Sequence, residues 1–266
     1  MDWLLGLVLG VAVAGAAWKA GLLTPSGAVA AALIGMATWG GAGWKGAAMM
    51  LVFFLSSNWL SRWRSDAKRG LDPVVAKGGR RDAWQVAANG GAAAVLFAAS
   101  GLQEPHAGPW VAGAAGGLAA AMADTWATEI GVLARRPPRL LTTGREVARG
   151  ASGGVTIVGL LATLGGAAVI GAVGAWLWAK PALLGIGLVA GLLGSLLDSL
   201  LGATLQAGYR CPACAAETER HPWHVCGVRT AQVRGLSWMG NDVVNLLSSA
   251  AGALAAVLLW SATSGS

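Results

Sequence analysis

Residues 123–154 read ADTWATEIGVLARRPPRLLTTGREVARGASGG, and the interpretation of the whole chain depends on this stretch. Two carboxylates, Asp124 and Glu129, lie near the end of a segment otherwise rich in small and apolar residues, and a run of arginines follows. Ionisable groups inside a membrane segment are costly, so they mark candidate functional sites. Acidic groups beside arginines and a glycine-rich turn are what the binding of a metal-bound polyphosphate needs.

The composition of the chain indicates a membrane protein. Hydrophobic residues make up 55% of it, charged residues only 12%, and the mean hydropathy is +0.60, above the norm for a soluble domain. The 41 glycines suit closely packed membrane helices, in which small residues let backbones approach. The formal net charge of +7 is better explained by orientation in a membrane than by binding of nucleic acid.

Apolar runs predict an all-α, polytopic integral membrane protein with about eight transmembrane helices. The runs cover residues 3–18, 27–43, 46–60, 83–100, 110–131, 153–179, 181–206 and 235–260. The first run lacks a basic leader region and a convincing cleavage site, so we interpret it as a retained helix rather than a signal peptide. We group residues 1–60 as N-terminal transmembrane helices and residues 61–266 as the catalytic membrane domain.

Basic residues gather in three loops, at residues 61–82, 132–152 and 207–234. Alternation of eight spans puts the three loops on one side, which the positive-inside rule makes cytoplasmic. A site beside these loops then faces the cytoplasm, and both termini are external. Only Lys45 and Lys180 fall on the other side. The basic residues of the three loops are Arg62, Arg64, Lys68, Arg69, Lys77, Arg80, Arg81, Arg135, Arg136, Arg139, Arg145, Arg149, Arg210, Arg220, Arg229 and Arg234.

Polar residues on four predicted helices share one depth beneath these loops. Asp124 lies about eight residues before the cytoplasmic end of its helix, roughly 12 Å deep at 1.5 Å per residue, and Asp198 has the same position. Asp242 is placed about eight residues into the last helix. Each carboxylate alone is also explained by a buried helix–helix hydrogen bond, but scattered polar residues would not favour one depth. The asparagines at this level are Asn89, Asn241 and Asn245.

Two of the carboxylates lie in similar local sequences. Gly117 precedes the pair Asp124-Thr125 by seven residues, and Gly191 precedes the pair Asp198-Ser199 by the same spacing. Both predicted helices run in the same direction across the membrane. The similarity is consistent with a duplicated metal-binding helix, and also with chance in a background of Gly, Ala and Leu.

Five ordered motifs carry a resemblance to a known family. They read GGRRDAWQVAANGG, ADTWATEIG, SGGVTIVG, DSLLGATLQ and NDVVNLLSS. The chain resembles, on these motifs, the integral membrane family that contains plant phytyl-phosphate kinase, many of whose members carry only an unknown-function label. It is more distantly similar to CDP-diacylglycerol synthase and dolichol kinase, whose Ser-Asp-Thr helix precedes a basic, glycine-rich loop. The positions that match that pattern are Asp124, Thr125, Thr143, Arg145, Gly150, Gly153 and Gly154.

The resemblance implies a reaction, whereas the residues alone indicate only metal and phosphate at a membrane surface. That reaction is Mg²⁺-dependent phosphoryl transfer from a nucleoside triphosphate, CTP in the distant relatives, to an isoprenyl monophosphate. Asp124 and Asp198 would hold Mg²⁺, and the Gly153 and Gly154 amides would receive a phosphate at a helix start. The candidate catalytic residues are Asp124, Asp198, Asp242 and Glu129, and the candidate substrate-binding residues are Arg80, Arg81, Asp82, Asn89, Thr125, Arg145, Arg149, Ser152, Gly153, Gly154, Ser199, Asn241 and Asn245.

Two other functions remain open at this point. One is a CTP-dependent cytidylyltransferase that makes a CDP-lipid. The other is a cation- or proton-coupled transporter, in which carboxylates near the middle of the membrane carry the ion. The predicted depth of the carboxylates, near the cytoplasmic side, disfavours the transporter.

A separate cluster of metal-binding residue types lies in the third basic loop. Cys211 and Cys214 form a Cys-x-x-Cys turn, and His224 and Cys226 follow at a spacing that completes a tetrahedral zinc site. His221 is a rival for the fourth ligand. The alternative is a reduced loop without a metal, because disulfides are rare in the cytoplasm. We expect a structural zinc, since a site closed by four protein ligands leaves no open coordination position.

Overall fold

Helices make up most of the protein in a computed structural model that describes residues 2–64, 79–103 and 106–264. Lys68, Arg69 and Lys77 of the first basic loop lie outside the described residues. The helices are α1 (Trp3–Lys19), α2 (Pro25–Arg62), α3 (Ala83–Leu102), α4 (Gly108–Gly131), α5 (Ile157–Trp178), α6 (Ala182–Thr204) and α7 (Asn241–Ser264).

Helix α2 reverses direction at Gly43. That residue has φ 59° and ψ −149°, a conformation that glycine adopts without a Cβ clash. Near its start, Gly27 packs on the backbone of Arg81, whereas at its end Ser61 donates a hydrogen bond to Glu129 at the end of α4. Because Arg62 also reaches the Ala20 carbonyl after α1, both ends of α2 lie at one end of the bundle. The two halves correspond to the helices predicted at residues 27–43 and 46–60.

The described parts of the loops that carry the basic residues lie together at that same end. Thr24 bonds to the backbone of Arg81, and Arg234 donates to the Gly202 carbonyl at the end of α6. At the opposite end, the side chain of Lys45 lies over the Trp178 ring. Among the described residues, Arg81 and Arg234 thus lie at one end of the bundle and Lys45 at the other. Which end faces the cytoplasm stays a prediction.

Within the described residues, four helices are long and apolar enough to cross a membrane: Ala83–Leu102, Ile157–Trp178, Ala182–Thr204 and Asn241–Thr263. Helix α1 is apolar but shorter. Helix α4 is buried continuously from Val111 to Ala123 and forms the core of the bundle. The count of eight spans stays a prediction. So does the division after residue 60, although Met49 and Phe53 in the second half of α2 pack in the same cluster as α4.

Small residues hold α4, α6 and α7 close together. A Cβ atom added to Gly194 of α6 would lie 2.4 Å from the Ala120 side chain and 2.9 Å from the Ser248 carbonyl oxygen. A Cβ atom added to Gly116 of α4 would meet the Gly252 carbonyl oxygen of α7 at 2.6 Å. Close approach through small residues is typical of packing between membrane helices. Here it draws the polar ends of α4 and α6 together.

This packing predicts a different response at two glycines of α6. We expect Gly194→Ala to destabilise the protein by about 1–3 kcal/mol, because the added methyl group overpacks the contact of α6 with α4 and α7. Gly185→Ala is the matched control, since a Cβ atom there meets nothing within 4 Å and both changes alter helix propensity equally. Thermal unfolding in detergent measures both. Equal melting temperatures for the two variants would contradict this packing.

The all-α prediction missed five short strands in the loops. Strands β1 (Arg139–Leu140) and β2 (Gly154–Val155) form an antiparallel pair. Strands β3 (Gly208–Arg210), β4 (Glu217–Thr218) and β5 (Ala231–Arg234) form an antiparallel sheet with the order β4-β3-β5. Strands this short contain no alternating apolar pattern, so the sequence gives no periodic indication of them.

Candidate active site

A cavity of about 890 Å³ opens at the end of the bundle where the basic loops gather. Helices α2 to α7 and the loops after α4 and α6 all contribute to its wall. The predicted site residues that line it are Asp124, Asp198, Asp242, Glu129, Arg81, Asn89, Thr125, Arg149, Ser152, Gly153, Gly154, Ser199, Asn241 and Asn245. Residues predicted from four separate stretches of sequence are thus brought into one cavity.

Asp124 of α4 and Asp198 of α6 are in direct contact. Their side chains lie within hydrogen-bonding reach of each other, and the Ser248 hydroxyl donates to Asp198 Oδ2 at 3.1 Å. Two carboxylates this close repel each other unless they share a proton or a cation. Oxygen ligands of this kind are those that Mg²⁺ prefers. The pair therefore fits a hard divalent cation.

Glu129 lies at the mouth of the cavity between a hydroxyl and a guanidinium group. Ser61 donates to Glu129 Oε1 at 2.5 Å, and the charge of Glu129 acts on Arg81. Burial lowers the pKa of Arg81, and the carboxylate of Glu129 opposes that shift. The backbone of Arg81 is fixed by its N–H, which donates to the Leu22 carbonyl at 2.9 Å. The positively charged side chain of Arg81 is thus held beside Glu129 at the mouth of the cavity.

Helix α7 begins later than the sequence predicts. It starts at Asn241 rather than at residue 235, so Asp242 lies in the first helical turn and not eight residues inside the helix. The reason is that residues 235–240 are held by a bridge between Gln206 and Leu236 and by the bond from the Ala207 N–H to the Met239 carbonyl. Asp242 still lines the cavity.

The predicted helix start at residue 153 is also wrong. Helix α5 begins at Ile157, and the Thr156 side chain caps it by accepting from the Gly159 N–H. Gly153 has φ +78° and packs on the backbone of Ala203, and the Gly154 N–H donates to the Ala151 carbonyl. The Gly154 amide is therefore used within its own loop. The predicted phosphate-binding helix terminus does not form at these glycines.

Three predicted substrate-binding residues do not line the cavity. Arg80 Nε donates to the Leu23 carbonyl at 2.9 Å and ties α3 to the end of α1. The Asp82 side chain caps α3 in a reciprocal capping box with Gln85. Arg145 is exposed in the turn after β1. We assign these three residues to the local structure of the loops.

Two other predicted side chains donate hydrogen bonds to carbonyl groups of their own helices. The Thr125 hydroxyl donates to the Ala121 carbonyl at 2.8 Å, and the Asn89 amide donates to the Gln85 carbonyl at 2.9 Å. Both bonds span four residues, the local pattern in which a polar side chain bonds to the carbonyl of the preceding helical turn. Both residues also line the cavity.

Comparison with known proteins agrees with the motifs. The sequence model of the integral membrane protein family DUF92 matches residues 8–253. The chain belongs to this family. It is 37% identical over 142 residues to Protein PGR of Arabidopsis thaliana, a match that covers 49% of each chain. It is 28% identical over 142 residues to an uncharacterized membrane protein of Synechocystis, covering 53% of this chain and 55% of the relative.

A third relative is archaeal. An uncharacterized membrane protein of Methanocaldococcus jannaschii is 36% identical over 89 residues, which cover 34% of this chain and 37% of the relative. The chain thus spans about half, or less, of the length of the curated relatives that it matches. No solved structure matches the chain.

Sequence reasoning missed one acidic residue of the cavity. Glu219 follows β4 and accepts hydrogen bonds from the Ser152 hydroxyl and, at 3.0 Å, from the Gln206 side chain. It also lines the cavity near Asp198. Glu219 lies in a polar loop next to the cysteines, where an acidic residue is ordinary. Only the folding of the loop against α6 reveals its position.

The cysteine loop brings its four predicted ligands together. The ligand atoms of Cys211, Cys214, His224 and Cys226 lie within 4.8 Å of one another. His221, the rival ligand, instead stacks on the Tyr209 ring at 4.5 Å between centroids. The fold of the loop thus places His224, rather than His221, beside the three cysteines.

Proposed function

We propose that this protein transfers a phosphoryl group from a nucleoside triphosphate to an isoprenyl monophosphate and gives the diphosphate. The observation that carries the proposal is the contact of Asp124 with Asp198 in a cavity that arginines border. CTP is the nucleotide that the distant resemblance favours. The coarser conclusion, a DUF92 membrane protein, stands without this proposal.

Asp124 and Asp198 would hold the Mg²⁺ that such a reaction uses. When bound, the ion neutralises charge on the transferred phosphoryl group. The two residues come from helices whose spacing small side chains fix, so their carboxyl groups are positioned before any ligand enters. Catalysis of this kind rests mainly on positioning and electrostatic stabilisation.

Arginines supply the positive charge that phosphate groups need. Arg62, Arg81 and Arg149 all line the cavity, and Arg149 is directed by a bond from its guanidinium to the Arg135 carbonyl at 3.2 Å. A guanidinium group binds phosphate oxygens in a bidentate manner and keeps its charge at any physiological pH. The acceptor phosphate is already anionic, so no side chain has to remove a proton from it.

The cavity also has an apolar wall that suits a lipid tail. Leu160 and Leu196 line it on the side of α5 and α6. Trp84 and Trp238 line it as well, with 73% and 63% of their surfaces exposed. Exposed tryptophans are typical of the membrane–water interface. We propose that the phosphate of the lipid enters here while its chain stays among the membrane lipids.

The proposal includes an orientation. The basic loops face the cytoplasm, eight helical segments span the membrane and both termini are external. A cytoplasmic opening gives the cavity access to nucleotide, and the carboxylates lie near that opening rather than at the middle of the bundle. This position supports an enzyme over the ion-coupled transporter.

Product analysis tests the proposal. Purified protein is incubated with Mg²⁺ and short isoprenyl phosphates, in parallel with γ-labelled and α-labelled CTP. We expect label in the lipid only from the γ position. Lipid labelled from the α position alone would establish the cytidylyltransferase instead. Absence of any labelled lipid with all nucleoside triphosphates, together with ion uptake into vesicles, would establish the transporter.

A further inference from the structure

Four side chains of the 207–234 loop converge on one point from two turns. Strand β3 leads into Cys211, and the turn that contains Cys214 returns the chain into β4. The second turn, between β4 and β5, carries His224 and Cys226. The two turns are closed by bonds from the Cys211 N–H to the Ala216 carbonyl and from the Gly227 N–H to the His224 carbonyl.

The distances within this cluster suit a tetrahedral metal ion. Cys211 Sγ and Cys226 Sγ are 3.5 Å apart, and His224 Nδ1 lies 3.1 Å from Cys226 Sγ. Tetrahedral ligands at a Zn–S bond length of about 2.3 Å lie about 3.8 Å from one another. The distance of 3.5 Å between Cys211 Sγ and Cys226 Sγ is far longer than a disulfide bond of about 2.05 Å. A disulfide between any two of the three cysteines would also leave the third cysteine unpaired.

Two of the four side chains, His224 and Cys211, are buried. His224 is 5% exposed, and its Nε2 atom is buried with no hydrogen-bond partner among the described residues. Cys211 is fully buried in the same cluster. The other ring nitrogen, Nδ1, faces the cysteine sulfurs, so a neutral imidazole can present it to a metal ion.

The loop has little else to hold its fold. Its strands are two to four residues long, and its few buried apolar side chains include Tyr209 and Cys211. Units with so small a core need a disulfide or a metal to stay folded. We propose that Cys211, Cys214, His224 and Cys226 bind one structural zinc ion, which braces the β3–β5 sheet against the wall of the cavity.

The braced sheet is attached to the site at two points. Arg234, at the end of β5, donates to the Gly202 carbonyl at 2.8 Å, and Glu219, just after β4, accepts from Ser152 and Gln206. Zinc therefore fixes the position of an acidic wall residue without touching the cavity itself. The zinc site stands independently of the proposed reaction, because it is measured without nucleotide or lipid.

Two histidine variants provide a matched test. We expect purified wild-type protein to contain about one zinc per chain. Loss of a second-sphere partner already costs about 10- to 100-fold in metal affinity. His224→Gln is therefore expected to bind zinc at least about tenfold more weakly, as measured in competition with a chelator. His221→Gln, three residues away and stacked on Tyr209, is expected to retain zinc as the wild type does.

Two further readouts keep the test decisive if a variant folds poorly. Wild-type protein loaded with Co²⁺ should show the visible bands of tetrahedral cobalt–thiolate coordination. Trypsin should cleave at the exposed Arg210 and Arg229 faster in zinc-free than in zinc-bound wild-type protein. Folded wild-type protein with neither zinc nor a tetrahedral cobalt spectrum would overturn the proposal. Zinc lost from His221→Gln but kept by His224→Gln would overturn the ligand assignment.

Discussion

Asp124→Asn and Asp198→Asn are each expected to lower the rate of phosphoryl transfer by about a hundredfold or more. Each change removes one negative charge from the contacting pair and nearly preserves its shape. Mg²⁺ depends on carboxylates together with phosphate oxygens, so its hold on the nucleotide weakens. A hundredfold loss corresponds to about 2.7 kcal/mol, at about 1.36 kcal/mol per factor of ten. Steady-state rates at saturating Mg²⁺ measure the effect.

The double variant should be little worse than either single one, because the two carboxylates act as a unit. The fold should survive, since a neutral amide is cheaper to bury in a membrane than a carboxylate. Asp2→Asn is the matched control. Asp2 caps α1 at the opposite end of the bundle, where Asn is an equally good cap. A well-folded Asp124→Asn protein with near-normal turnover would exclude a metal role for the pair.

Arg81→Gln is expected to lower kcat/KM by about a hundredfold, whereas Arg80→Gln should change it less than about fivefold. An arginine that stabilises the transferring phosphoryl group raises kcat by about 10³-fold or more in some enzymes. An arginine that shares this role with others contributes less. Arg81 lines the cavity opposite Glu129. Arg80, its neighbour, spends its Nε donor on the Leu23 carbonyl outside the cavity.

A lysine substitution of Arg81 distinguishes the effect of its charge from the effect of its planar geometry. Arg81→Lys keeps the positive charge but loses the planar pair of donors, so we expect only partial recovery of the rate. The KM for nucleotide and the melting temperature are measured for all three variants. Equal losses for Arg80→Gln and Arg81→Gln, at equal stability, would show that the two arginines act through the loop rather than through phosphate.

The meeting of Asp124 and Asp198 was predictable from the sequence for a simple reason. Both residues lie on long apolar helices that run in the same direction, and a rise of 1.5 Å per residue converts their positions into depth. Glycines and alanines then bring the helices close enough for the carboxyl groups to touch. Periodicity and helix length were sufficient to predict the common depth of the two carboxylates, because the surrounding residues are apolar.

The helix boundaries beside the loops were not predictable in the same way. Residues 153–156 and 235–240 are apolar enough to extend the hydrophobic runs, yet both segments are bound to the end of α6. Gly153 packs on Ala203, and Leu236 pairs with Gln206. Contacts between residues so distant in sequence override local hydrophobicity, and single-sequence patterns contain no record of them.

Glu219 and the proposed zinc ligands differ in how far the sequence alone reveals them. The spacing of Cys211, Cys214 and Cys226 predicts a metal cluster, because ligand spacing in a turn is a local property. Glu219 is held at the cavity by hydrogen bonds from Ser152, 67 residues earlier, and from Gln206, 13 residues earlier. Its role as a wall residue depends on how the sheet docks, and no local pattern indicates that docking.

The central claim is that Asp124 and Asp198 together hold a divalent metal with its nucleotide. Mn²⁺ prefers the same oxygen ligands as Mg²⁺ and is detected by electron paramagnetic resonance. Titration of wild-type protein with Mn²⁺ and CTP should show about one bound ion per chain, and each Asp→Asn variant should bind it at least about tenfold more weakly. Undiminished Mn²⁺ affinity in folded Asp124→Asn and Asp198→Asn proteins would contradict the account.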